Sequence, residues 1–122
     1  MIRNSILTVL AVAVLGIFLN AQQDAEVVSL TQTPGEFEQT ELTLKAGETY
    51  RFEVLNNGVD HEVGFVIAEK ANPDKHVKAG YLAKTVADGE TSSSSVVTLE
   101  AGEYVYFCPL NPTPQYTITV TE

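Results

Sequence analysis

Gly102-Glu103-Tyr104-Val105-Tyr106-Phe107-Cys108-Pro109-Leu110-Asn111-Pro112-Thr113-Pro114-Gln115-Tyr116 decides how the rest of this chain is read. A turn opens it, an aromatic run follows, and the only cysteine of the protein closes that run. Pro109, Pro112 and Pro114 then fix three φ angles and remove three backbone donors, so the segment is a rigid loop between two strands. The second strand begins at Tyr116, with Tyr116, Ile118 and Val120 on one parity. A single thiol at such a junction is a soft metal ligand or a small buried apolar residue.

The same period-two pattern extends backwards. Glu41-Leu42-Thr43-Leu44-Lys45 alternates polar with apolar and is turned by Ala46-Gly47-Glu48. Tyr50, Phe52 and Val54 alternate with Arg51 and Glu53, and Asn56-Asn57-Gly58 ends that run with residues that tolerate positive φ. Glu26 to Leu30 is a first strand, stopped by Pro34-Gly35, and His61, Val63, Phe65 and Ile67 share one parity in another. Thr91 to Leu99 reads as a strand with Ser92 to Ser95 on an exposed edge. Residues 69–84, with Asn72-Pro73-Asp74, break the rhythm and are expected to form a loop or short helical insertion. Seven or eight short antiparallel strands with turns at this spacing predict an all-β, Greek-key β-sandwich.

Before that domain, Ser5 to Leu19 is an apolar run behind a single arginine, and Leu19-Asn20-Ala21 offers a small residue at a cleavage point. Residues 1–21 therefore read as a secretory signal peptide, with an uncleaved anchor as the lesser alternative, and residues 22–122 as the exported domain. The expected location is periplasmic or secreted, with no membrane association after cleavage. One cysteine excludes an internal disulfide in an oxidising compartment. Residues 22–122 carry six Lys and Arg against sixteen Asp and Glu, a net charge of −10. That charge argues against a nucleic-acid partner and favours a protein partner with a basic docking face.

Catalysis has little to stand on: no paired acid and base, no nucleophile elbow, no phosphate-cradling loop. The expectation is a protein that is not an enzyme. The remaining candidates are His61, which parity points toward the core, Cys108, and His76, which reads as a solvated loop residue.

Two stretches together resemble the cupredoxin family: Val54-Leu55-Asn56-Asn57-Gly58 with His61-Glu62-Val63-Gly64-Phe65, and Leu99 through Pro109. The resemblance covers nearly all of residues 22–122 and implies the same Greek-key sandwich. It also implies a blue-copper site made by a histidine, a cysteine, a second histidine and a weak axial methionine. His61 stands at the first position and Cys108 at the thiolate. Asn111 stands where the second histidine is expected, and Pro114 or Gln115 where methionine would be. The resemblance thus implies one copper ion on His61 and Cys108, with Gln115, Asn111 or His76 completing the shell. Its role would be electron transfer or copper handling with a redox or copper-handling partner. The alternative is a metal-free cupredoxin-fold binding or accessory module.

Overall fold

The computed structural model describes residues 25–122, so the expected signal peptide over residues 1–21 lies outside the described residues. Nine strands form two packed sheets. The strands are β1 (Glu26–Thr33), β2 (Glu36–Phe37), β3 (Glu41–Lys45), β4 (Thr49–Asn56), β5 (Val66–Glu69), β6 (Asn72–His76), β7 (Thr91–Thr98), β8 (Gly102–Phe107) and β9 (Tyr116–Thr121). One sheet runs β2-β1-β4-β7 and the other β3-β9-β8-β5-β6, the all-β sandwich that the alternation predicts. Among the described residues no helix is long and apolar enough to cross a membrane.

The alternating faces become the core. Tyr50, Phe52 and Val54 from β4 are buried against Ile67, Tyr106, Ile118 and Val120 from the opposite sheet. Phe37 stands edge-on to Phe65, Tyr106 and Tyr116, with ring centroids 6.1, 5.2 and 5.9 Å away. Edge-to-face rings add to burial because a ring's positive rim meets the negative face of its neighbour. Tyr106, fully buried, donates its hydroxyl to the Gln39 carbonyl.

Four sequence expectations change. Not all the pairing is antiparallel: β1 runs parallel to β4 (Leu30 beside Val54) and β3 parallel to β9 (Leu42 beside Ile118). Alternation reports which face is buried and carries no information about strand direction. The segment 69–84 does contain a short helical turn, the 3-10 turn Lys78–Gly80, but it also supplies β6, an edge strand on β5. In β7, an edge strand as expected, Ser92 and Ser94 are buried. Their burial follows from a bulge. Between the pairs Arg51–Val96 and Glu53–Ser93, β7 carries one residue more than β4, and the Phe52 N–H donates to Ser94 Oγ at 3.0 Å.

The fourth change concerns His61. The strand begins only at Val66, and residues 57–65 cross as an irregular connection in which His61 is exposed. Asn56 imposes that path. Fully buried at the end of β4, it donates through Nδ2 to the carbonyls of Val59, His61 and Val86, and its Oδ1 accepts the Val59 N–H. With the His61 carbonyl turned inward onto Asn56, the imidazole faces solvent. Val63 is the first residue back in register, forming a two-way bridge with Val86.

Candidate functional site

Cys108 lies one residue past the end of β8 and is only 2% exposed. Its sulfur accepts two backbone N–H bonds, from Gly64 at 3.2 Å and from Asn111 at 3.1 Å. Its own N–H donates to Thr113 Oγ1 at 3.1 Å, so both ends of the residue are pinned by the proline loop. The loop is thus wound around the thiol, three residues forward to Asn111 and five to Thr113.

Asn111 is buried, and its carboxamide is engaged on three sides. Oδ1 accepts the Gly35 N–H at 2.8 Å, while Nδ2 donates to Gln32 Oε1 at 3.1 Å and to the Thr33 carbonyl at 3.0 Å. Gln32, itself fully buried, donates on to the Gly64 carbonyl at 2.6 Å. The chain of bonds therefore closes on itself, because Gly64 N–H returns to Cys108 Sγ. Every buried polar side-chain atom among the described residues has a partner. In a low-dielectric interior such a closed network rigidifies the groups that it joins.

The other candidates are placed differently. His61 Nδ1 is 3.0 Å from the Glu62 carbonyl oxygen, on the exposed connection. Gln115 is exposed on the loop. His76, read from the sequence as a solvated loop residue, ends β6 and is half-buried; its Nδ1 lies 2.7 Å from the Tyr81 hydroxyl and its ring packs edge-on to Tyr81 and Phe107. Of the five candidates, hydrogen bonding joins only Cys108 and Asn111. Gln32 and Asn56 escape a reading of the sequence because a buried amide inside a strand looks like any polar residue of the outward face.

The donor set can be tested against the copper ion that the fold family implies. Among the described residues no three His, Cys, Asp or Glu groups come together in a way that could hold a metal ion. The Asn111 amide oxygen is committed to Gly35, and the imidazole nearest in sequence to the Gly64 donor, that of His61, is on the surface. A tetragonal or trigonal copper site needs imidazole nitrogen beside the thiolate. The residues present do not fit that site.

A groove of about 520 Å³ opens beside this network. Gly64, Phe65 and Leu82 line it together with Pro109 and Leu110 of the loop, and His76, Tyr81 and Lys84 complete it. Leu110, 48% exposed, lies beside Gly64, whose N–H donates to the sulfur.

A family model described as a cupredoxin-like domain matches residues 6–120. Among solved structures, auracyanin B superposes with a TM-score of 0.64 at 20% identity, over 80% of this chain and 90% of that one. Auracyanin A, a blue copper protein from the green thermophilic photosynthetic bacterium Chloroflexus aurantiacus, gives 0.63 at 19%, over 77% and 97%. Amicyanin from Paracoccus versutus gives 0.51 at 21%, over 80% and 81%. Likeness at these identities is likeness of fold. No curated protein matches the chain.

Proposed function

We propose that this chain, which belongs to the cupredoxin-like domain family, is an exported, non-catalytic sandwich that binds its ligand or partner at the Cys108 end without a resident metal. The family and the fold suggest a copper-binding or electron-transfer role, and auracyanin A, of the same fold, is a blue copper protein. The observation that turns the reading away from resident copper is the Asn111 carboxamide. At the position where the resemblance expects an imidazole stands a buried amide bonded to Gly35, Gln32 and Thr33. Export rests on the apolar run Ser5 to Leu19 and the small residue Ala21 behind it.

Titrating the purified protein with Cu(II) and recording its visible spectrum tests this reading. The expected result is no thiolate-to-copper band and no rise in Tm. A visible band that disappears in Cys108→Ser overturns it.

One observation favours the second reading, a single copper ion on Cys108 and His61. Two N–H donors directed at one sulfur offset negative charge on it, and hydrogen bonding of this kind tunes a copper-bound thiolate. The same titration on His61→Ala separates the two: loss of a band seen in the parent assigns the ion to this pair.

A further inference from the structure

The geometry points to the groove beside Cys108 as a binding site for a small aromatic carboxylate of one or two rings. This inference rests on the metal-free binding reading above and names its ligand class.

The groove has the size and lining of a small-molecule site: about 520 Å³, walled mainly by apolar side chains. Phe65 and Leu82 come from the sandwich, Pro109 and Leu110 from the rigid loop. Two of the four large apolar residues left exposed among the described residues, Tyr81 at 42% and Leu110 at 48%, line this one groove. An apolar ring seated there removes both from water.

Two of the polar residues around it, Lys84 and His76, offer donors. Lys84 lines the groove, and its only ion pair among the described residues, with Glu90, is at 4.0 Å between two exposed side chains. Such a pair holds the lysine weakly. When the Tyr81 hydroxyl donates to His76 Nδ1, the ring proton sits on Nε2, so the second nitrogen of this lining residue is a donor as well. Thr85, which also lines the groove, gives its hydroxyl to Glu62 and so offers no free donor there.

Charge is distributed to match. Residues 22–122 carry a net charge of −10, yet four of their six cations, Lys70, Lys75, Lys78 and Lys84, lie within residues 70–84, against the single acid Asp74. That segment supplies His76, Tyr81 and Lys84 to the groove. Lys70 and Lys75 are paired with Glu103 and Glu69, and among the described residues Lys78 is in no ion pair. Of these four only Lys84 lines the groove, where its exposed pair with Glu90 at 4.0 Å leaves it available to an anion. An apolar body fits the walls, and a carboxylate fits the donors.

The test is amide chemical-shift mapping of the full protein with 2-naphthoate, its neutral isostere 2-naphthalenemethanol and the cation 2-naphthylmethylamine, in the presence of a chelator. Saturable shifts with naphthoate are expected at Gly64, Val66, Tyr81, Leu82, Lys84 and Leu110, with weaker binding of the alcohol and weakest of the amine. Lys84→Gln should weaken naphthoate by up to about fivefold and leave the alcohol unchanged. Leu110→Ser should weaken both. Both residues are exposed, so an otherwise unchanged spectrum verifies the fold. Absence of saturable shifts, shifts clustered instead around Ala46, Gly47 and Leu99, where the Gly47 N–H meets the Leu99 carbonyl, or an amine that binds as well as the acid overturns the inference. Copper titration reads a different signal, so failure here is distinct from failure of the metal-free reading.

Discussion

The amide of Asn111 donates to the sulfur of Cys108 at 3.1 Å, while the side chain of the same residue reaches back to Gly35, Gln32 and Thr33. One residue thus joins the proline loop to the end of β1, across a separation of 79 residues to Gln32. Its main chain shapes the thiol pocket and its side chain locks that pocket to the other sheet.

Asn111→Ala should therefore destabilise the protein by about 2–3 kcal/mol, since Gln32 Oε1 is left buried with no donor. Asn111→His should cost at least as much, because an imidazole cannot supply two donors and an acceptor from one amide plane. Urea unfolding monitored by circular dichroism measures both. A loss below about 0.5 kcal/mol for Asn111→Ala would show that the network is not holding the loop.

Cys108→Ala removes the shared acceptor of the Gly64 and Asn111 amides and leaves a small cavity. A loss of about 1–3 kcal/mol is expected. Cys108→Ser keeps an acceptor and should lose less. The order of the two midpoints in the same unfolding experiment is the check; alanine better tolerated than serine would mean that the apolar body of the thiol matters and its hydrogen bonds do not.

Gly80 closes the 3-10 turn against β5. A Cβ built there meets Ile67 Cδ1 at 2.9 Å and Cγ1 at 3.3 Å, and Ile67 is fully buried. Gly80→Ala should cost about 1–3 kcal/mol through overpacking, although alanine is otherwise the better residue in such a turn. Pairing it with Ile67→Val, which shortens the offending branch, should recover part of the loss; strict additivity of the two melting shifts would count against this contact.

Burial pushes the Tyr106 hydroxyl well above its usual value of 10.0, and Tyr116 and Glu41 push it the same way. The unfolded chain therefore releases this proton first. Stability from the neutral phenol is complete below pH 10 and falls as pH rises from the unfolded value toward the higher folded one, by up to about 1.4 kcal/mol per pH unit. Tyr106→Phe gives up the bond to the Gln39 carbonyl, at about 1 kcal/mol near neutrality, and should show a shallower decline above pH 10. Melting curves of both proteins between pH 8 and 11 check this; parallel declines would remove Tyr106 as the cause.

Much of this molecule is legible in one dimension. The parity of Tyr50, Phe52 and Val54, and of Ile118 and Val120, is the parity of the buried faces, because a strand turns alternate side chains to opposite sides whatever it pairs with. The turns at Gly35, Gly47, Gly58 and Gly89 sit at positive φ, where only the lack of a Cβ makes the angle free of strain. Cys108 stands out by its place at the end of an aromatic run, and its burial agrees with that place.

Only the tertiary structure decided the relations between distant segments. Parallel pairing of β1 with β4 and of β3 with β9 depends on which edges meet, and strand alternation is the same in either direction. His61 shares parity with Val63, Phe65 and Ile67, yet it is exposed because Asn56 holds its carbonyl and the strand starts five residues later. Gln32 reads as a polar residue of an outward face and Asn111 as a possible ligand beside Cys108, until the fold brings the two amides into one buried network. A local pattern records the preference of each residue for water or core. A buried hydrogen bond between residues 79 apart exists only once both segments have been placed by the packing of the two sheets.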